Sequence, residues 1–176
     1  VQTDQAKTGQ YAAKIQTQEL MLLGTIPGIA TTGAMTLDIA GGGGLAITGG
    51  VPLSGKPTKL NGFFKYDNMQ GDTMVIFIVT TKWNAGTQTR DTLTQAAFAT
   101  NQQVSTYEAF SIDLDYTPSS ATPDSFNIII ISSAGSAPQL GTMLFVDDLS
   151  FEYGNVGIGE TENSIFSVYP NPSNGN

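Results

Sequence analysis

Apolar residues along this chain recur at every second position and almost never at the 3.6-residue spacing of a helix. Phe110, Ile112, Leu114 and Tyr116 alternate with Ala109, Ser111, Asp113 and Asp115, the pattern of a half-buried strand with one wet face. Met74 to Val79 and Phe126 to Ile131 are apolar at nearly every residue and rich in β-branched side chains, which predicts strands covered on both faces or central to a sandwich. Further strands are expected over Gln10 to Thr17, Met35 to Ile39, Lys59 to Tyr66, Thr92 to Phe98 and Thr142 to Tyr153. Turn-forming stretches separate them: Gly41 to Gly44, Asn68 to Asp72, Asn84-Ala85-Gly86, Pro118 to Asp124 and Ala134 to Gly141. Eight or so strands with such loops predict an all-β fold, an antiparallel two-sheet β-sandwich of jelly-roll type.

The domain is expected to span 1–153. From Gly154 the periodicity disappears, so 154–164 reads as a linker, and a new segment covers 165–176. A chain of 176 residues buries roughly 70% of its unfolded surface, so the core needs no disulfides. There are none to form: the sequence holds neither Cys nor His. That excludes Ser-His-Asp and Cys-His nucleophiles, His-ligated zinc, thiolate metal sites and redox dithiols, but leaves the redox compartment open. With 7 Lys+Arg against 15 Asp+Glu the net charge is −8, and no basic patch stands out, so neither nucleic acid nor anionic lipid is an expected partner. No charged-then-apolar leader follows Val1 and no apolar run reaches about 18 residues, so neither a signal peptide nor a membrane span is expected.

Several residues carry candidate chemistry. In Asp147-Asp148 only one carboxylate can face inward, because neighbours on a strand point to opposite sides. Phe145, Leu149 and Phe151 share the parity of Asp147. If theirs is the core face, Asp147 must be paired, hydrogen-bonded or bound to a cation. Otherwise it accepts loop N–H bonds, or the opposite face is the core. Trp83, the sole tryptophan, stands where an apolar strand runs out into a turn; it could stack on a sugar with Asn84 or Arg90 donating hydrogen bonds, or anchor the core or rim. In Phe63-Phe64-Lys65-Tyr66 one ring pair must leave the core, and Tyr66, with its polar tip, is the expected ligand contact. Gly50 to Lys56 spells a phosphate-loop pattern, but Pro57 follows, with neither hydroxyl nor N–H to offer, so that reading fails. Asp113 and Asp115 lie ~6.6 Å apart on one strand face, a spacing glycosidases use, although a soluble face gives the same pattern.

The segment Phe166-Ser167-Val168-Tyr169-Pro170-Asn171-Pro172-Ser173-Asn174-Gly175 resembles the opening of the C-terminal sorting domain of the type IX secretion system. The body resembles the putative carbohydrate metabolism domain of surface proteins from the same Gram-negative bacteria, itself similar to jelly-roll carbohydrate-binding modules. The likeness rests on Thr8-Gly9-Gln10-Tyr11-Ala12-Ala13-Lys14-Ile15, on Gly50 to Leu53 leading to Lys56 to Tyr66, on Pro123-Asp124-Ser125, Ser132-Ser133 and Gly141, and on Leu144 to Phe151. Such modules usually carry one more strand before the Thr-Gly-x-Tyr-Ala segment. The resemblance implies a structural calcium held by Asp147 with Asp4 and Lys7 of the loop Asp4 to Gly9, an oxygen-ligand chemistry that needs neither His nor Cys. It also implies a non-catalytic carbohydrate-binding module of a secreted, cell-surface protein, with a polysaccharide or glycan and the secretion machinery as partners. A structural or adhesive spacer without a sugar ligand, and a glycoside hydrolase or lyase, are the alternatives.

Overall fold

A computed structural model describes residues 2–3, 5–38 and 44–154, and every regular element among them is a strand. In chain order these are β1 (Gln2–Thr3), β2 (Ala12–Gln16), β3 (Gln18–Leu20), β4 (Gly24–Ile26), β5 (Ile29–Thr31), β6 (Ala34–Asp38) and β7 (Gly44–Thr48). They continue as β8 (Val51–Pro52), β9 (Pro57–Asp67), β10 (Met74–Asn84), β11 (Thr89–Thr100), β12 (Val104–Asp113), β13 (Ser125–Ile131) and β14 (Met143–Tyr153). The first sheet runs β1-β2-β14-β9-β12 and the second β11-β10-β13-β5, all antiparallel. Successive long strands cross from one sheet to the other, except for the β10–β11 hairpin, as a jelly-roll sandwich requires.

Alternation builds the core. Leu60, Phe64 and Tyr66 of β9 point inward and meet Met74, Ile76 and Ile78 of β10, Phe110 and Ile112 of β12, Ile128 and Ile130 of β13, and Leu144 and Val146 of β14. Phe98 stacks on Phe110 at 5.4 Å and meets Phe64 edge-on at 5.3 Å, tying the two sheets together with one aromatic cluster. Further along, Tyr66 donates from its hydroxyl to the carbonyl of Ser132, and Thr17 and Ser132 share a buried hydroxyl contact of 2.9 Å.

The strands expected from alternation are present, and three details differ. The alternating run Phe110 to Tyr116 leaves β12 after Asp113, yet Leu114 and Tyr116 stay buried. Val75, Phe77, Val79, Ile129 and Ile131 are only partly buried on the outer face of the second sheet, while Ser125 and Asn127 on that face of β13 are buried. Finally, β5 and β8 share one edge of β13, the first beside Ile129 to Ile131 and the second beside Ser125 and Phe126. The hairpin β6–β7 leaves the sheet between them. β1 supplies a short edge strand ahead of Thr8. Residues 155–176, with most of the expected linker and the whole sorting segment, lie outside the described residues, as does Asp4.

At one corner the backbones of the two layers nearly touch. A Cβ on Gly28 would stand 2.6 Å from the backbone nitrogen and oxygen of Gln16, whereas a Cβ on Gly62 would meet side-chain atoms of Leu149 and Phe110 at 2.7 and 2.8 Å. Side chains can turn aside and backbone cannot. Gly28→Ala is therefore expected to cost about 3 kcal/mol and Gly62→Ala about 1 kcal/mol in urea unfolding; a larger loss at Gly62 would contradict this packing.

Candidate functional site

The closing strand β14 carries the geometry that matters. Leu144 and Val146 pair with Tyr66 and Phe64 and face the core, so Phe145 and Asp147, opposite Lys65 and Phe63, face outward. Between Asp147 and Ser150 the strand holds one residue more than β9, a bulge in which Asp148 takes φ +50°. The parity flips there, which is why Phe151 faces inward against Phe126 although it shares odd numbering with Asp147. The core is thus the face opposite to Asp147.

Asp147 holds the N-terminal loop. Its Oδ2 accepts the backbone N–H groups of Lys7 (2.8 Å) and Thr8 (3.2 Å), its Oδ1 accepts that of Asp148 (2.8 Å), and the Thr8 hydroxyl donates to Asp148. Burial pushes the Asp147 carboxyl up, but the amides of Thr8, Asp148 and Lys7 and the Lys7 ammonium outweigh it, and the net shift is downward. The Lys7 ammonium itself lies 4.3 Å from the Phe63 ring centroid. Calcium needs six to eight oxygens. The described neighbours of Asp147 instead present N–H groups, Lys7 offers its amide to the carboxylate, and no three Asp or Glu side chains converge among the described residues. Asp4, the other carboxylate expected to join Asp147, lies outside the described residues.

The loop held in this way forms one wall of a groove on the outer face of the first sheet. The groove has a volume of about 370 Å³, with Phe145 and Met143 as floor and Gln5, Lys14, Lys65, Asp67 and Gln103 around it. Cross-strand pairing explains the order: Lys14 of β2, Phe145 of β14 and Lys65 of β9 are direct neighbours in register. Both ammonium groups lie over the Phe145 ring, Lys14 at 5.9 Å and Lys65 at 4.3 Å from its centroid, and Lys65 also lies 5.5 Å from the Tyr107 ring. Lys65 donates to the Gln5 side chain, Tyr107 donates to the Gln5 carbonyl, and Gln103 donates to Asp67. Burial first, then Asp147 and Asp148, raises the Tyr107 pKa. The residues of this groove escape a search for exposed aromatics. Their signal is two lysines in the middle of apolar-rich strands, at positions that alternation assigns to the wet face.

The predicted ligand contacts fare unequally. Tyr66 is fully buried and its pKa is pushed strongly up, by burial first and then by Asp72, so it cannot touch a ligand; Phe63 is the ring that leaves the core. Trp83, Asn84 and Arg90 do come together at the end of the β10–β11 hairpin, Trp83 opposite Arg90 and 46% exposed. The Arg90 and Asn84 side chains also bond within the protein. Arg90 bonds Asp124 at 2.6 Å and the Thr81 hydroxyl at 3.2 Å, while Asn84 donates to Asp91 and accepts from Gly86 and Thr87 in the turn. The amide of Trp83, the Arg90 side chain and nearby charges hold the Asp124 carboxyl low. Asp113 and Asp115 stand on open surface, Asp113 facing Lys59 at 3.6 Å and Asp115 accepting the amide of Thr117, which lowers its pKa.

No protein-family model matches the chain, and no curated protein matches it. Solved structures share its fold, two of them from Bacteroides species. A putative glycoside hydrolase from Bacteroides thetaiotaomicron superposes with a TM-score of 0.64 at 14% identity, over 87% of this chain and 56% of its own. A putative glycoside hydrolase from Bacteroides vulgatus superposes with a TM-score of 0.63 at 18% identity, over 86% of this chain and 76% of its own. This chain therefore spans little more than half the length of the first of them.

The Asp147 latch has a pH signature. A carboxyl whose folded pKa lies below its unfolded value contributes stability that is present above about pH 4 and is lost as pH falls through the lower folded value. Asp147→Asn is expected to cost about 1 kcal/mol at pH 7, and the gap to the parent protein to close in melting curves as pH falls through the lowered folded value. A chelator at pH 7 separates the amide latch alone, with an unchanged melting temperature, from an added calcium ion, with a drop of several degrees.

Proposed function

We propose that the chain is a non-catalytic carbohydrate-binding module of an exported protein, and that the groove over Phe145 is its binding site. The observation that carries this reading is the groove itself: a preformed hollow of about 370 Å³ on a rigid sheet, ringed by two amides, two ammonium groups and one carboxylate. Saccharides present many hydroxyls in fixed directions, and sites for them need convergent donors and acceptors on a surface that does not have to reorganise. Gln5, Gln103 and Asp67 carry both kinds, held in place by bonds from Lys65 to Gln5, from Asn68 to Gln103 and from Gln103 to Asp67. The description of two proteins of the same fold as glycoside hydrolases supports a carbohydrate ligand.

Binding is favoured over hydrolysis by the carboxylates. Glycosidases need two, one with its pKa raised to serve as acid. The groove is lined by one described carboxylate, Asp67, which accepts from Gln103, and the described carboxyl groups with clear shifts, Asp115, Asp124 and Asp147, all move down. Export to the cell surface is part of the same proposal and is supported by the Tyr169-Pro170-Asn171-Pro172 box. The exposed ring of Trp83 beside Arg90, on the opposite sheet, is the alternative contact surface.

Affinity electrophoresis of the full chain in gels containing soluble polysaccharides separates these readings. Retardation by at least one polysaccharide is expected, weakened about tenfold by Gln103→Ala and less than twofold by Trp83→Ala, with no reducing ends released. The reverse pattern would move the site to Trp83. Retardation by none would leave a spacer module, and released reducing ends would make the chain an enzyme.

A further inference from the structure

We infer that the outer face of the second sheet is the interface of a homodimer, in which two copies of the chain pack these faces together around a two-fold axis. The inference does not depend on what the groove over Phe145 binds.

Register defines the face. In β10 the side chains of Ile76 and Ile78 lie in the core, so Val75, Phe77 and Val79 point away from it. Pairing sets Ile29, Ile131, Val75 and Ala99 in one rung across the four strands, and Thr31, Ile129, Phe77 and Ala97 in the next. Asn127, Val79 and Gln95 form the third, where the Asn127 side chain already donates to the Gly49 carbonyl. Gln95, Ala97 and Ala99 are exposed, and the aliphatic and aromatic residues of the first two rungs are only partly covered. A sheet with one face in water ordinarily alternates apolar and polar residues, and runs that are apolar on both sides belong to sheets covered on both. A surface of the same character therefore covers this one.

Charge selects a second copy. At a net charge of −8, two copies of this chain repel each other, so they meet most readily where neither has a charge to desolvate. The outer face of the first sheet is set with Lys59, Lys65, Asp67, Asp113 and Asp147. By contrast, β5 and β13 hold no charged residue, and in β10 and β11 charges come only beyond the bulge, at Lys82, Arg90 and Asp91. A face of small and β-branched side chains without charge is complementary to itself, and a two-fold pairing of such faces closes at two copies.

The area is adequate as well. Strands ~4.8 Å apart and rungs ~7 Å apart give the three rungs a footprint of roughly 400 Å², about half of the ~800 Å² that each partner buries in a stable complex. The remainder adjoins it. Ile29 also lines a hollow of about 430 Å³ with Leu23, Ile26, Pro27 and Met35. Leu23 belongs to the turn of the β3–β4 hairpin, which its amide closes onto the Leu20 carbonyl and which leaves Met21 98% and Leu22 96% exposed. Turns are normally built from Gly, Asn, Asp, Pro and Ser, and a run of exposed aliphatic residues in their place marks a contact surface. Packing of this kind turns the two grooves over Phe145 outward on opposite sides of the dimer, so one assembly presents both.

Sedimentation velocity on the full chain at pH 7, up to about 100 μM, tests the interface. A dimer is expected, with a dissociation constant of about 10 μM or lower that falls further as salt screens the repulsion between copies. Ala97→Glu and the nearly isosteric Gln95→Glu, both at exposed positions of β11, should each raise that constant at least tenfold, as should Leu22→Glu at the hairpin tip. Ser111→Glu, exposed on the outer face of the first sheet, should change it less than twofold. Urea unfolding at a dilution where the parent protein is also a monomer should be the same for all four variants, and Gln95→Glu decides if Ala97→Glu does not fold. Loss of the dimer with the β11 variants but not with Leu22→Glu would keep the sheet interface and remove the hairpin from it. A monomer throughout, a dimer indifferent to both β11 variants, or one weakened by Ser111→Glu or by salt would overturn the inference. Flotation of a monomer with phosphatidylcholine vesicles, abolished by Leu22→Glu, would overturn it in favour of a lipid surface.

Discussion

One extra residue in β14 decides what this molecule shows to its surroundings. Opposite Asp147 to Ser150 the strand bulges against β9, so that Leu144 and Val146 upstream and Phe151 downstream all reach the same core despite their different parity. Two long strands with unlike side-chain patterns can then share one interior. The bulge also turns the carboxylates of Asp147 and Asp148 toward the loop ahead of β2, where a straight strand would alternate them across the sheet. The wall of the groove, the position of Gln5 in it and the seat of Lys7 over Phe63 all depend on that local departure from regular pairing.

Alternation made the sandwich legible. Phe110 and Ile112, or Ile76 and Ile78, announce their faces in the sequence because a strand has period two and one side must be dry. The short strands β3, β4, β5 and β8 were not legible, since two or three residues carry no period, and Leu20 to Leu23 look like core while Met21 and Leu22 are almost fully exposed in the structure. The candidate site was half legible. Asp147 stood out, but its surroundings could not be read without the bulge, because one inserted residue inverts the face assigned to everything after it. Tyr66 misled for a related reason: the aromatic tetrad left its own phase open, and the tie came from Leu144 and Val146 across the strand.

The groove illustrates how an acidic protein can carry a basic feature. Lysines in mid-strand are unusual because their stems must lie along the sheet while the ammonium finds solvent or a π face. Lys14 and Lys65 solve this on a shared ring, which restrains two flexible side chains. Preorganisation of that kind lowers the conformational cost of binding. It arises here from register alone, since Lys14, Phe145 and Lys65 are consecutive rungs across three strands.

The divided edge of the second sheet has a consequence of its own. A continuous outer strand would display a row of unsatisfied amides and carbonyls to which a foreign strand could add. Beside β13, however, β5 offers three residues before the chain departs at Gly33, and β8 returns with only two. An invading segment would find no run long enough to zip onto. Crowded copies of the domain are thereby kept from fusing into a common sheet along that side.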